Sequence, residues 1–171
     1  MTTETVDAAR ISAERWGMDH RIETAGDADI WDAQVMALLR TAFAGMEGRI
    51  DPPSSLHRMG VEDVARQRRE GTLLLAIAGD VLIGCVFLSR RDDHAYLGKL
   101  AVAPDWTRRG IARTLVERAA EFAQRPILRL ETRIELVENH AAFARMGFVE
   151  MGRTAHPGYS HPTSLTMERR L

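Results

Sequence analysis

The chain has 171 residues, of which 45% are hydrophobic and 27% are charged, and its formal net charge is −1. This composition is typical of one folded domain and gives no overall positive field towards nucleic acid or an anionic membrane. No run approaches the roughly 18 apolar residues that cross a bilayer, and a single cysteine, Cys85, excludes an intrachain disulfide framework. We therefore expect a cytoplasmic protein with one domain over residues 18–171. Residues 1–17 would form a tail or short peripheral helix, without the apolar core of a signal peptide.

Hydrophobic periodicity indicates the elements of the first half. It predicts, in chain order, a strand over 20–24, a helix that Asp27 or Asp29 caps and that runs to Phe43, an irregular connection over 44–58 and a helix over 60–70. The buried stripe of the first helix would consist of Trp31, Val35, Leu38, Leu39, Ala42 and Phe43. The second helix is more weakly patterned, through Val61, Val64 and Ala65. Its basic run, residues 66–69, has no interleaved aromatic residue, so we interpret it as a solvated helix face rather than a nucleic-acid site.

The second half alternates strands and helices. Strands are predicted over 72–77 and 81–89, on either side of a turn at 78–80, and then over 95–102, 128–132, 148–153 and 163–169, with helices over 110–124 and 139–146. We expect Cys85, inside the second of these strands, to be a small buried hydrophobic residue. This order predicts an α/β (α+β) fold with a mixed, mostly antiparallel central sheet of about seven strands flanked by helices, rather than a doubly wound parallel sheet.

The segment from Leu97 to Phe122 carries the strongest functional signal. An apolar strand ends before Pro104, which cannot extend a sheet ladder, and a helical stripe begins at Ile111. The turn at 108–110, Arg-Arg-Gly, therefore lies where backbone N–H groups lack intrahelical partners. The helix dipole and two arginines suit a phosphate there, although a solvated helix start would show the same residues. The fingerprints of P-loop and dinucleotide-binding folds are absent.

Residues 100–112, Leu-Ala-Val-Ala-Pro-Asp-Trp-Thr-Arg-Arg-Gly-Ile-Ala, resemble the acetyl-CoA signature of the GNAT N-acetyltransferase superfamily. A second block, at 128–132 and 139–148, is similar to the next strand and helix of that family and to the Gly-Phe that opens the following strand. The resemblance implies acetyl-CoA as cosubstrate. It also implies that the strands at 97–102 and 128–132 splay apart, so that their unpaired backbone groups hold the pantetheine arm like an extra strand.

The same resemblance assigns residues to the cofactor. The backbone N–H of Leu100 would bind the acetyl oxygen, and the turn before the helix would present amides to the diphosphate. The full set of implied cofactor contacts is Leu100, Ala101, Val102, Thr107, Arg108, Arg109, Gly110, Ile111, Ala112, Arg113, Asn139 and Phe143.

Three positions depart from the family pattern. Thr107 stands where Gln or Arg is usual, which removes a long polar side chain but not the amides. Phe143 replaces a frequent tyrosine, and a phenyl ring cannot protonate the departing thiolate. The family's asparagine would fall at Leu136, and Asn139, three residues later, is either a cofactor contact or a helix cap.

Glu131 is the candidate general base. Its place at the end of a strand resembles that of the base glutamate in some N-terminal-amine acetyltransferases of the family. A base must lie within hydrogen-bond reach of the amine, directly or through one water molecule. The alternative is a surface carboxylate paired with Arg129 or Arg133.

In the resembling family the acceptor site is built from two long connections, which here cover residues 46–57 and 154–162. Glu47 could hold an ammonium group and Arg49 a carboxylate, while His156 and Tyr159 could shape the pocket. We expect no metal site, because His156 and His161 have no third ligand at a suitable spacing.

The resemblance thus implies an enzyme, an N-acetyltransferase that moves an acetyl group from acetyl-CoA to a primary amine of a small molecule by direct attack in a ternary complex. The alternative, suggested by Thr107 and Phe143, is an acetyl-CoA-binding sensor or scaffold without turnover. The expected partner is a small-molecule amine, with no nucleic acid and no membrane, and the resemblance allows a homodimer.

Overall fold

The computed structural model describes residues 20–27 and 29–171, so the predicted tail over 1–17 lies outside the described residues. In the described part the α-helices are α1 (Asp32–Phe43), α2 (Val61–Glu70), α3 (Ile111–Phe122) and α4 (Val137–Arg145). The strands are β1 (Arg21–Thr24), β2 (Thr72–Ala78), β3 (Val81–Arg90), β4 (Ala95–Val102), β5 (Ile127–Arg133), β6 (Val149–Thr154) and β7 (Ser164–Arg170). Short 3-10 turns occupy 29–31, 44–46, 55–58 and 104–106. None of the described helices has the length and apolar content that a bilayer crossing requires.

The seven strands form one sheet in the order β1-β2-β3-β4-β5-β7-β6. Neighbouring strands run antiparallel except β4 and β5, which are parallel. Helix α3 makes the crossover that a parallel pair requires, since a tight turn can join only antiparallel strands. The prediction of a mixed, mostly antiparallel sheet of about seven strands flanked by helices is confirmed.

The parallel seam between β4 and β5 is short. Three residue pairs hold it, Ala95 with Leu128, Tyr96 with Arg129 and Leu97 with Leu130. Beyond these pairs β4 continues to Val102 and β5 to Arg133 without pairing to each other. The two strands therefore diverge towards their carboxyl ends, as the predicted splay requires.

A bulge in β4 lies at the start of this divergence. Phe87 on β3 faces Gly98 and Cys85 faces Ala101, so β4 carries one more residue than β3 over this stretch. Lys99 takes up the extra length with φ of 50°, in the left-handed region that non-glycine residues rarely adopt. The bulge bends β4 away from β5 and changes the direction of the side chains that follow.

The two faces of the sheet carry separate cores. Helices α3 and α4 cover one face, where Leu115 packs with Leu97 and Leu130 of the strands. Helices α1 and α2 cover the other, where Leu39 and Val64 are fully buried. Each such side chain contributes about 1.5–3 kcal/mol to the free energy of unfolding.

Close approach between α3 and β3 depends on Gly84. A Cβ atom at this position would lie 3.1 Å from Cδ1 of Leu115 and 3.2 Å from Cγ2 of Ile111. Because Gly84 has no side chain, α3 packs directly against β3. This packing places the start of α3 at the carboxyl end of β4. Cys85, the next residue, is completely buried as expected, and burial raises the pKa of its thiol to about 12.

Three predictions for the first half were wrong in detail. Helix α1 begins at Asp32, and the cap residue Trp31 makes no side-chain hydrogen bond, so neither Asp27 nor Asp29 directly precedes the helix. Val61 is 43% exposed, because the first turn of α2 projects into solvent. The largest correction concerns Arg68, which was assigned to a solvated face but is only 7% exposed.

Arg68 is buried because it forms an ion pair with Asp32. Its Nε and Nη2 atoms donate to the two carboxylate oxygens of Asp32, each at 2.9 Å, and its Nη1 donates to the Gly26 carbonyl oxygen at 3.0 Å. This bidentate ion pair joins α1 to α2 on one face of the sheet. A charge pattern along α2 alone could not reveal it, because the acidic partner lies 36 residues away.

Candidate active site

A cleft of about 640 Å³ opens where β4 and β5 diverge. Residues 96–100 of β4 and 130–133 of β5 line one side, and the connection at 52–58 lines the other. Asn139 and Phe143 of α4 close one end, while His156 and Tyr159 reach in from the loop before β7. The cleft thus joins the two blocks of sequence that carry the family resemblance.

Hydrogen bonds between loops hold the rim of the cleft. Nη2 of Arg133 donates to the Pro52 carbonyl oxygen at 2.6 Å, and the Tyr159 hydroxyl donates to Oδ1 of Asp51 at 2.5 Å. The Asp51 N–H in turn donates to Oε1 of Glu135 at 3.2 Å. These contacts connect the loop after α1 to the end of β5 and to the loop before β7.

Glu131 lies in this cleft with an exposed side chain. Of the two neighbouring arginines, Arg129 pairs with Glu168, with its Nη2 2.5 Å from Oε1, and Arg133 donates to the carbonyl oxygens of Pro52 and Pro53. Within the described part of the chain Glu131 has no ion-pair partner within 4 Å. The alternative of a carboxylate paired with Arg129 or Arg133 is therefore wrong.

Tyr96 stands beside Glu131 and was missed by the sequence analysis. It pairs with Arg129 in the seam, so strand alternation puts its side chain on the same face as Glu131. Its ring lies over Gly98, where a Cβ would be 3.6 Å from Cε1 of Tyr96. Burial and the nearby Glu131 carboxylate raise the pKa of the Tyr96 hydroxyl, against the lowering effects of Arg91 and of a hydrogen bond from the Glu131 backbone. The hydroxyl therefore stays protonated at neutral pH. Alternation along β4 predicts only the face on which Tyr96 lies, and its pairing with Arg129 is what places it beside Glu131.

Lys99 is the second missed residue of the cleft. It is half-buried on the β4 bulge, and burial lowers the pKa of its ammonium, against the raising effect of Asp63. Asp63 itself accepts hydrogen bonds from the Gly60 N–H and from Arg66, each at 2.9 Å. In the described residues no carboxylate lies within 4 Å of Lys99. The available signal was a lone lysine inside an otherwise apolar strand.

The turn before α3 has the form that the sequence predicted. Gly110 caps the helix with φ of 80° and Arg108 has φ of 62°, while no side chain blocks the first-turn amides. The Thr107 hydroxyl donates to the Pro104 carbonyl oxygen at 3.0 Å, and the Arg109 guanidinium lies 4.7 Å from the Trp106 ring centre. All four residues at 107–110 are exposed, so the helix start is open to a ligand.

Arg113 projects from α3 towards α4. Its Nη2 donates to the Arg145 carbonyl oxygen at 3.0 Å, at the carboxyl end of α4. The side chain thus joins the two helices that flank the open end of the seam, and Arg113 directly follows Ile111 and Ala112 in the first turn of α3.

Of the two alternatives for Asn139, the helix cap was wrong. Helix α4 begins at Val137 with Leu136 as its cap residue, and the Asn139 N–H donates to the Leu136 carbonyl oxygen at 3.0 Å. Asn139 therefore lies in the first turn and lines the cleft. Phe143, one turn later, also lines the cleft and packs edge-to-face on Phe148, with ring centres 6.0 Å apart.

The four predicted acceptor residues divide into two pairs. His156 and Tyr159 line the cleft, and Nδ1 of His156 lies 2.5 Å from the Thr163 hydroxyl. Glu47 and Arg49 do not line it: Glu47 faces His57 at 3.6 Å beside a neighbouring hollow, and Arg49 pairs with Glu138 at 2.6 Å. Their roles towards an acceptor stay predictions. Across residues 20–27 and 29–171, no group of three His, Cys, Asp or Glu side chains could hold a metal ion.

Comparison with protein families matches residues 33–148 to the model described as Acetyltransferase (GNAT) family. The chain belongs to the GNAT acetyltransferase family. Membership indicates acyl transfer that uses coenzyme A, and the matched range contains the seam, the helix start and most of the cleft-lining residues. No curated protein sequence matches this GNAT domain.

Solved structures share the GNAT fold. An acetyltransferase from Streptococcus agalactiae 2603 is 20% identical with a TM-score of 0.68, covering 90% of this chain and 99% of that chain. The PaiA N-acetyltransferase from Thermoplasma acidophilum, in complex with coenzyme A, is 18% identical with a TM-score of 0.69, covering 90% of this chain and 100% of its own. A protein from Bacillus anthracis str. Ames in complex with acetyl coenzyme A is 18% identical with a TM-score of 0.55, covering 60% of this chain and 63% of its own. At these identities the likeness shows the fold.

Proposed function

We propose that this GNAT protein transfers an acetyl group from acetyl-CoA to a primary amine of a small molecule, by direct attack within a ternary complex. The observation that carries the proposal is the cleft at the diverging end of β4 and β5, with the unpaired carboxylate of Glu131 inside it. The open start of α3 lies at the same end of β4.

The chain's own residues fit the charged and uncharged parts of acetyl-CoA. The backbone of Leu100, Ala101 and Val102 faces the seam without a strand partner on β5, so an extended amide-bearing arm can pair with it. The turn at 107–110 and the first-turn amides of α3 suit the diphosphate, because the helix dipole and two arginines favour negative charge there.

The cleft residues divide the chemistry between them. Glu131 accepts the proton of the attacking amine, and the Leu100 N–H donates to the acetyl oxygen, where negative charge develops. The new bond joins the amine nitrogen to the acetyl carbon, and the carbon–sulfur bond breaks. Tyr96 is the hydroxyl that can protonate the leaving thiolate, since Phe143 cannot.

Phe143 also favours a second candidate, an acetyl-CoA-binding sensor or scaffold without turnover. Its ring occupies the cleft where the family frequently has a tyrosine hydroxyl. The two candidates share acetyl-CoA binding and differ in thiol release, so one experiment with two measurements separates them.

The experiment measures thermal unfolding with and without acetyl-CoA, and then thiol release with a panel of amines. At a hundredfold excess over its dissociation constant, the ligand should add about 2.7 kcal/mol, which raises the unfolding midpoint by roughly 5–10 °C. Arg108→Glu/Arg109→Glu is the control and should lose this shift, because it reverses two charges at the helix start.

A midpoint shift with amine-dependent thiol release supports the enzyme. The same shift without release from any amine supports the sensor. No shift at millimolar acetyl-CoA would contradict both candidates.

A further inference from the structure

Lys99 places a positive charge in the cleft and therefore favours a ligand that carries a negative charge. It is the only lysine of the chain, it is half-buried at the β4 bulge, and it has no carboxylate within 4 Å among the described residues. A partly desolvated ammonium without a counter-charge is unfavourable, so the site gains free energy when an anion binds beside it.

The protein's nearby acids do not satisfy Lys99. Asp63 is the acidic residue that acts on it, yet this carboxylate is held by Arg66 and by the Gly60 N–H. Glu131 lines the same cleft but forms no ion pair with Lys99. The cleft therefore presents the Lys99 ammonium and the Glu131 carboxylate apart from each other, and the positively charged residues Arg58 and Arg133 line it as well.

Acetyl-CoA does not satisfy Lys99 either. Its phosphates are the groups suited to the start of α3, whereas the pantetheine arm and the acetyl group that would enter the seam are uncharged. The second substrate is therefore the part of a ternary complex that could supply a counter-charge for Lys99. Glu131, meanwhile, suits the amine of that substrate.

The cleft also offers apolar surface for the body of the acceptor. Phe43, Met46 and Leu56 line it from the side of α1 and the loop that follows. An acceptor that contacts this wall, Glu131 and Lys99 would carry an apolar body, an amine and an acidic group.

We propose that the acceptor is an amine that also carries a carboxylate and an apolar body, as an apolar amino acid does, and that Lys99 binds the carboxylate. The inference rests on the proposed acetyl transfer and goes beyond it, because a general amine site would need only Glu131. Two separated, opposite charges recognise the two ends of a zwitterion and reject amines that lack the acid.

The first test compares each amino acid with the amine that lacks its carboxylate. The pairs are alanine with ethylamine, leucine with isopentylamine, methionine with 3-methylthiopropylamine and phenylalanine with phenethylamine. In at least one pair the acid should be acetylated with kcat/KM at least about tenfold higher, the effect of a charge-assisted hydrogen bond. Equal values in every pair, or higher values for the amines, would overturn the proposal.

Variants locate the effect at Lys99. Lys99→Met keeps the length of the side chain and removes its charge, so the ratio of acid to amine should fall towards one, while Lys99→Arg should keep part of it. Arg58→Gln is the matched control, since it removes a positive charge from the exposed rim of the same cleft and should preserve the ratio. A ratio that Lys99→Met leaves intact would contradict the assignment.

A binding measurement keeps the proposal testable without turnover. Protein labelled with carbon-13 lysine gives a single side-chain signal, because Lys99 is the only lysine. In the presence of coenzyme A, the amino acid of at least one pair should shift this signal at concentrations where its amine does not. If acetyl-CoA stabilises the protein, no amine releases thiol and the signal still shifts, acetyl transfer fails and the carboxylate site stands; if the signal never shifts, the site is refuted.

Discussion

At the residue scale, Glu131 is a carboxylate that lines the cleft and whose two arginine neighbours bind other groups. Arg129 is committed to Glu168 and Arg133 to the loop at 52–53. A base must be near the amine and free of an ion pair, and Glu131 meets the second condition because neither arginine pairs with it.

We therefore expect Glu131→Gln to lower turnover at least about tenfold while the affinity for acetyl-CoA is unchanged. The amide keeps the shape of the side chain and cannot take a proton. Turnover measured by thiol release over about pH 6–9, with affinity measured by calorimetry, checks this. Wild-type turnover across that range would remove Glu131 from the mechanism, and equally weakened acetyl-CoA binding would show a structural role instead.

Tyr96 and Phe143 line the same cleft, and only Tyr96 carries a hydroxyl. Since burial raises the pKa of that hydroxyl, the hydroxyl keeps its proton at neutral pH and still carries it when a thiolate forms. For the proposed reaction, this makes Tyr96 on β4, rather than Phe143 on α4, our candidate general acid.

Tyr96→Phe should lower kcat by about tenfold and leave the KM for acetyl-CoA nearly unchanged, because a general acid acts on the leaving group and not on binding. Phe143→Tyr added to this variant should recover part of the loss, since it places a hydroxyl on the other wall of the cleft. Steady-state kinetics of the two variants provides the measurement. A single variant with wild-type kcat would show that solvent protonates the thiolate.

At the scale of elements, the ion pair between Asp32 and Arg68 joins the start of α1 to the last turn of α2. Both side chains are almost completely buried, at 1% and 7% exposure. Removal of one partner from a buried pair leaves the other charge desolvated and alone.

Arg68→Met should lower the free energy of unfolding by about 3–5 kcal/mol, and Asp32→Leu/Arg68→Met should recover most of that loss because no charge is left unpaired. Urea denaturation at equilibrium measures both changes. Arg69→Met, the exposed neighbour, is the control and should change stability by less than about 0.5 kcal/mol. A similar small effect for Arg68→Met would show that water reaches the buried pair.

The elements themselves were largely predictable from the sequence, and their contacts were not. The turn at 107–110 and the start of α3 follow from local signals, namely a proline after the strand, a glycine at the cap and an apolar helical stripe. Arg68 and Asn139 were misassigned because their environments depend on partners far along the chain or on a helix that begins two residues early. Tyr96 and Lys99 were missed for a related reason, since only the seam and the bulge show that they face the cleft.

At the scale of the whole molecule, the strand order could likewise not be predicted from local sequence patterns. The elements predicted a mixed sheet, but the insertion of β7 between β5 and β6 depends on the pairing of residues 127–133 with residues 164–170. No local pattern encodes that long-range choice.

The stability of the whole molecule should depend on pH through His20. This side chain is buried beside β1, and burial lowers its pKa from the ordinary value of 6.5. The unfolded chain then binds a proton more readily than the folded one, so stability falls as pH drops below 6.5 towards the lowered value.

His20→Leu should flatten this part of the stability profile, because leucine fills the buried site without a group that must stay neutral. Urea denaturation at several pH values between about 5 and 7.5 measures the slope. His161→Leu is the control, since His161 is exposed, and it should keep the wild-type slope. An unchanged slope in His20→Leu would assign the acid sensitivity to other groups.

The three-pair seam between β4 and β5 makes the sheet two antiparallel units, with β1, β2, β3 and β4 in one and β5, β7 and β6 in the other. Helix α3 and the residues after it are the covalent link between these units. A molecule that inserts an extended arm into the seam would contact both units and stabilise their association. Amide hydrogen exchange should therefore slow in both units together when it binds. Fragments cut between Gln124 and Arg125 would each keep one antiparallel unit, and the same molecule would promote their reassembly.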